Sequence, residues 1–318
     1  MSQHSHNDAH GHSSGHNHNH NHGVVTYDKA FLIAIVANGG FVILQIIFAY
    51  MAHSTSLLAD AFHNLGDVLG LVLAWIATNL MKRKPTEKTT YGLKKASILA
   101  ALTNGILLVF TCGIIATEAV YKLFSPTEIH AGSVMIVAGI GIIINSATAL
   151  LFLRGSDDLN IRGAYLHLFY DALISVGVVL SAGLLYWTGW LWIDPVVGLL
   201  IAIVILKGTW ALFADSFRLI IDGVPNNISW SAVSEFLLTR PGVHGVHDLH
   251  IWAMSTQENA MSVHLYMPHD ELTDEARVEL VKQLKEQFSI QHSTIQIEKT
   301  ETDCNDACHE PHSGRAFL

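Results

Sequence analysis

Six long apolar runs alternate with short polar segments over the first two thirds of the chain, at about residues 30–52, 56–80, 97–117, 131–153, 163–187 and 195–213. Each is long enough to cross a hydrocarbon core ~30 Å thick as a helix rising ~1.5 Å per residue. Past residue 213 the periodicity shortens. Asp222-Gly223-Val224-Pro225 stops the last apolar run, and Ser229 to Leu238 then reads as a short helix. His247 to Ala253 and Ala260 to Met267 read as strands, and Thr273 to Phe288 as a helix with Leu280, Val281, Leu284 and Phe288 on one face. Thr294 to Glu298 alternates as a last strand. The predicted fold is a membrane all-α bundle of six transmembrane helices followed by a small cytosolic α+β domain of order αββαβ, with helices on one face of a sheet. A domain of roughly 90 residues is marginal by burial alone, so a partner copy or a metal is expected to support it.

Two of the six runs break their apolar pattern in the same way. The stretch SLLADAFHNLGDVLGLVLAWIATNL, Ser56 to Leu80, carries Asp60, His63 and Asp67, and GAYLHLFYDALISVGV carries His167 and Asp171. A carboxylate at mid-membrane costs roughly 2.5–3.5 kcal/mol on the insertion scale, so it is expected to serve function. Side chains at i and i+4 lie about 40° apart around a helix, so both members of each pair can reach one ligand. Two helices that each present His-x-x-x-Asp supply two imidazoles and two carboxylates, a closed four-ligand set suited to tetrahedral Zn²⁺. The plainer alternative is a buried polar cluster that fixes helix packing. Asp60, three residues before His63 and about 60° off the shared direction, fits a helix-packing or proton-handling role better than a ligand's.

Composition agrees with the membrane class, at 50% hydrophobic and 14% charged residues. Basic residues set the orientation. Lys82, Arg83, Lys84, Lys88, Lys94 and Lys95 follow the second run and Arg154 and Arg162 the fourth, whereas the first, third and fifth loops together hold only Lys122. The basic loops mark the cytoplasmic side and place both termini there. Asp67 and Asp171 then fall roughly 15 Å from their span ends, near the midplane. No positively charged leader with a cleavage site precedes the first run, so the first helix is expected to act as the insertion signal. A formal net charge of −9 leaves no nucleic-acid footprint. There is no P-loop, dinucleotide fingerprint or HExxH to support ATP drive or zinc proteolysis.

Both ends are rich in metal-binding residue types. Residues 1–23 hold eight histidines and almost nothing apolar, the composition of a disordered tail suited to weak, multivalent metal capture. In the soluble part His244, His247, His250, His264, His269, His292 and Glu298 are followed by Cys304, Cys308, His309 and His312. His264 alternates with Ser262 and Tyr266, away from Met261, Val263 and Leu265, and Glu298 shares a face with Gln296 and Thr294. A CxxxC pair in a cytoplasmic tail reads as metal-binding ahead of a disulfide. Cys112, alone in an apolar run, reads as packing. The expected units are a His-rich tail at 1–28, the membrane domain at 29–214, the cytosolic α+β domain at 215–300 and a Cys/His tail at 301–318.

Six spans with HxxxD in the second and fifth, the stretch GAYLHLFYDALISVGV and the strand HDLHIWA closely resemble the cation diffusion facilitators, and within them the zinc-type branch, over about residues 30–308. The resemblance implies a homodimer in a bacterial inner membrane that exchanges Zn²⁺ for protons by alternating access, with a metallochaperone-like cytosolic domain. It implies a transport site of His63, Asp67, His167 and Asp171, and a cytosolic zinc cluster drawn from His247, His264, His292 and Glu298 with Cys304 and Cys308 nearby. The chain departs from the family's pattern in several places, among them a one-residue shortening before Glu298 and a CxxxC pair where relatives often have CxxC. Tyr91-Gly92-Leu93-Lys94-Lys95-Ala96-Ser97 lacks the histidine and glutamate that relatives often carry before the third span, which argues against a metal site in that loop. Gln45 stands where some relatives have a glutamate, and the loop SDDLNIRG replaces a His-rich one, a role the amino-terminal tail is placed to take over.

The expected function is therefore a secondary transporter that exports Zn²⁺, with Cd²⁺ as a second candidate cargo, and not an enzyme. Its partners are the bilayer, a second copy of itself, and the transported metal and proton. Three alternatives compete with it. One is a membrane metal sensor whose midplane site is structural. Another is an exporter of the same family with a different preferred divalent metal. The third is an intramembrane metalloenzyme, for which four protein ligands leave no position for water.

Overall fold

The structure, a computed structural model, describes residues 25–153, 159–269 and 272–300, with side chains described over 36–150, 168–269 and 272–300. Six helices come first: α1 (Val25–Met51), α2 (Thr55–Met81), α3 (Ala96–Phe124), α4 (Ala131–Leu153), α5 (Leu159–Thr188) and α6 (Ile193–Ile220). Helices α2 to α6 are each long and apolar enough to cross a membrane, and the described apolar part of α1 runs from Val36 to Met51. Helix α4 packs on α5 and α3 on α6, while α2 lies against α1, α3 and α6. The helices reach beyond the apolar runs. Helix α3 continues through Glu118 and Lys122, which pair at 3.0 Å, and α6 through Asp215 and Arg218, also 3.0 Å apart. Hydropathy cannot see such last turns, because charges paired at i+3 or i+4 extend a helix past its apolar stretch.

The start of α2 is held by another helix. Ser54 caps it, accepting from Leu57 N at 3.1 Å. Asp194 of α6 then accepts from Ser54 Oγ at 2.6 Å, Ser56 Oγ at 2.5 Å and Thr55 N at 2.5 Å. A carboxylate here satisfies open N–H groups and sits at the positive end of the helix dipole. Gly198 permits the contact, since a Cβ there would stand 3.0 Å from the Thr55 carbonyl carbon. Lys122 of α3 donates to His53 O at 2.9 Å, so a third helix closes on the same turn.

The soluble domain follows as α7 (Trp230–Leu238), β1 (Gly245–Ala253), β2 (Asn259–Tyr266), α8 (Asp274–Phe288) and β3 (Ile290–Glu298), the αββαβ order read from the sequence. Ser229 and Thr273 cap the two helices. The sheet order is β1-β2-β3, antiparallel between β1 and β2 and parallel between β2 and β3. Leu280 and Leu284 of α8 join Val233 and Leu237 of α7 over Ile251, Met261, Val263 and Leu265. Phe288 packs at the edge of this core and Val281 is half-buried. Strand β3 starts at Ile290, earlier than the alternation suggested, because the Ile290 side chain is itself buried in that core.

The loop between α2 and α3 ties the domain to the bundle. Lys94 pairs with Glu258, and Lys95 with Asp222 at 2.6 Å. Thr256 N donates to Ser97 Oγ at 3.1 Å, and Tyr91 stands edge-on to His292 at 5.7 Å. This basic loop, which departs from the expected metal-site pattern, thus makes ion pairs with the soluble domain and the segment leading to it.

Candidate metal centre

Asp67 and Asp171 each lie twelve residues into their helices, counted from Thr55 of α2 and Leu159 of α5. His63 stands between them. Its Nε2 is 3.2 Å from Asp171 Oδ1 and its Nδ1 is 3.8 Å from Asp67 Oδ2. The ligand-capable atoms of His63, Asp67 and Asp171 all fall within 4.8 Å of one another, close enough to share one cation. His167 lies in α5 one turn before Asp171, but its side chain is outside the described residues. Gly66, beside Asp67, lets α3 approach at the depth of the site: a Cβ there would stand 2.2 Å from Leu108 Cδ2.

Burial is uneven along the helices that carry the site. Along the stripe of α2 that faces it, Ser56 and Asp60 are fully buried, the side chains of His63 and Asp67 are 16% and 24% exposed, and Ala74 is exposed. On α5 Asp171, Ser175, Val178, Ala182 and Leu185 are all buried. Among the described residues, burial around the site is thus densest toward the end held by Asp194.

A second group lies on the sheet face turned away from α7 and α8. His247 of β1 pairs in register with His264 of β2, and Tyr266 with Glu298 of β3. Glu298 reaches both imidazoles at 3.0 Å, from Oε2 to His247 Nε2 and from Oε1 to His264 Nδ1. These three converge as a possible metal group. Asp248 adds a carboxylate that strand periodicity would send to the other face. It sits at a bulge with φ +50°, which brings it 3.4 Å from His264 and 2.8 Å from His250. The only hint in the sequence is that aspartate tolerates this left-handed conformation better than most residues.

Other expected members of the cytosolic cluster are placed differently. His292 shares the strand face of Glu298 but is six residues away, ~20 Å along the strand, and packs against Tyr91 instead. Its side chain therefore does not join His247, His264 and Glu298 within this chain. Cys304, Cys308, His309, His312 and the His-rich tail fall outside the described residues. Cys112 is buried in α3 as a packing residue.

Together these features define a membrane-embedded helical carrier with a polar, ligand-bearing centre at mid-depth and a soluble α+β appendage. Residues 31–221 match the cation efflux transmembrane domain and residues 225–300 the cation efflux protein cytoplasmic domain. The chain belongs to the cation efflux family. It is 34% identical over 294 residues to the metal cation efflux system protein CzcD of Cupriavidus metallidurans, covering 92% of this chain and 93% of that protein. A cadmium, cobalt and zinc/H(+)-K(+) antiporter of Bacillus subtilis is 34% identical over 276 residues, or 85% of this chain and 88% of that one. The zinc transporter ZitB of Escherichia coli is 31% identical over 288 residues, covering 89% of both.

Proposed function

We propose that this integral membrane protein is a secondary transporter that exports Zn²⁺ from the cytosol in exchange for protons, with Cd²⁺ as a second cargo. The observation that carries the reading is the meeting of His63, Asp67 and Asp171 midway along a helical bundle. The names of the relatives, zinc transporter and cadmium, cobalt and zinc antiporter, support both the cargo and the exchange.

Imidazole nitrogen with carboxylate oxygen suits a borderline-soft divalent ion, and His167 supplies the fourth donor from its place one turn before Asp171. These groups bind metal only when deprotonated, so metal loading releases protons and proton loading releases metal. When the site faces the cytosol, Zn²⁺ displaces protons there. When the bundle opens at the other end, protons entering from a more acidic compartment displace the metal. Following the basic loops, both termini lie on the cytoplasmic side of the membrane.

The soluble domain serves as the contact for a second copy, in line with its small core. Its group of His247, His264 and Glu298 has the converging nitrogen and oxygen donors that a zinc ion needs, and these residues would hold it there. A bound ion would supply cross-linking of the three strands. The deciding experiment is zinc flux with simultaneous pH recording in proteoliposomes that hold a set pH gradient. Acidifying the release side is expected to speed flux, with protons moving the opposite way. Flux indifferent to the gradient, with no proton counter-movement, leaves a uniporter and defeats the exchanger.

A further inference from the structure

One turn beyond the metal-binding residues, toward the end held by Asp194, sits a carboxyl side chain that the transport reading leaves without a task. Asp60 is fully buried, three residues before His63. Its Oδ2 accepts from Gln45 Nε2 of α1 at 2.6 Å and from Ser175 Oγ of α5 at 3.0 Å. Gln45 Oε1 accepts in turn from Asn64 Nδ2 at 3.1 Å. Gln45, Asn64 and Ser175 are all buried as well. Three helices thus meet in one polar knot with the Asp60 carboxylate at its centre.

The knot interlocks with the site in sequence. Asn64 directly follows His63, and Ser175 lies one turn after Asp171. Helix α4 closes over it, for a Cβ at Gly141 would stand 3.3 Å from Ser175 Oγ and 2.9 Å from the Phe41 ring. Apolar residues would pack three helices without the desolvation cost of a carboxylate in the bundle core. What they would not supply is direction, which charge-assisted hydrogen bonds do at roughly twice the strength of neutral ones.

We propose that Asp60 is a positioning residue for transport: by tying Gln45 of α1 and Ser175 of α5 to α2, it sets the gap across which His63 and Asp171 grip the cargo. That gap is 3.2 Å from His63 Nε2 to Asp171 Oδ1. The proposal rests on the reading of His63, Asp67 and Asp171 as transport ligands. Groups hydrogen-bonded directly to metal ligands typically cost ~10–100-fold in metal affinity when lost, and Asp60, which acts through Gln45 and Ser175, is expected at the lower end of that range.

The test compares Asp60→Asn, Ser175→Ala, the double exchange Gln45→Glu/Asp60→Asn and Asp171→Ala with the parent, as full-length protein in proteoliposomes. The readouts are KM and maximal rate for zinc, and the ratio of zinc to manganese flux. Asp60→Asn is expected to raise KM ~10-fold with little change in maximal rate, and to lower the zinc preference. The double exchange keeps one carboxylate and the α1–α2 hydrogen bond, and is expected to recover most of the parental KM and preference. Parental KM and preference in Asp60→Asn, or a fall in maximal rate alone, would overturn the proposal, as would a double exchange no better than the single variant. Should Asp60→Asn fail to assemble, Ser175→Ala decides: a raised KM supports the positioning role and a parental one overturns it. Asp171→Ala separates the two readings. An inactive Asp171→Ala beside a parental Asp60→Asn defeats only the positioning role, whereas an active Asp171→Ala defeats the transport site itself.

Discussion

His63 is shared between two carboxylates on different helices, 3.2 Å from Asp171 and 3.8 Å from Asp67, so the centre exists only while α2 and α5 stay in register. Asp171→Ala removes a donor and a neutralising charge, and zinc flux is expected to fall by more than ~100-fold, beyond the loss seen for groups that merely orient a ligand. The protein should still elute as the parent's assembled species on gel filtration. Parental flux in that variant would remove Asp171 from the ligand set. His63→Asp exchanges a borderline donor for a hard one, which relaxes discrimination against Mn²⁺. Competition between Zn²⁺ and Mn²⁺ in the same vesicles measures this, and an unchanged ratio would assign selectivity to the surrounding shell.

At the scale of elements, the soluble domain has its own core of α7 and α8 on one face of the sheet, with the His247, His264 and Glu298 group on the other. A fragment from about residue 215 to 300 is therefore expected to fold and to bind zinc. Zinc a hundredfold above its dissociation constant adds about 2.7 kcal/mol of stability. For a domain this small that raises Tm by on the order of 10 °C. A melting temperature unmoved across a zinc titration would reduce these residues to surface ion pairs. His264→Ala should abolish the shift while leaving the apo Tm near the parent's, because its side chain lies on the face turned away from the core.

On the scale of the whole molecule, the helix ends away from the soluble domain are bound together by Asp194 and Lys122, while the basic loop ties the other end to the soluble domain. The His-rich amino-terminal sequence holds almost nothing apolar that a packed bundle could use. Deleting residues 2–22 should lower flux at limiting zinc several-fold and leave the maximal rate intact, as measured from a zinc concentration series. A folded truncated protein with no flux would make the tail part of the transport cycle.

The periodicity of the chain by itself determined the membrane bundle, the αββαβ domain and the recurrence of His-x-x-x-Asp, because helix and strand repeats are local. A spacing of four puts two side chains on one helix face whatever the rest of the protein does. Apolar runs understated α3 and α6, whose charged last turns are stabilised by pairs that hydropathy counts as breaks. Tertiary structure alone decided which residues meet across elements. It joined Asp60 to Gln45 and Ser175, brought Asp194 to the start of α2, and set β3 parallel to β2. Asp248 and His292 show the limit most plainly. Alternation gives the face of a strand but neither the distance along it nor the place of a bulge, so His292 shares the face of Glu298 yet sits ~20 Å away, while Asp248 crosses to the face that alternation denies it.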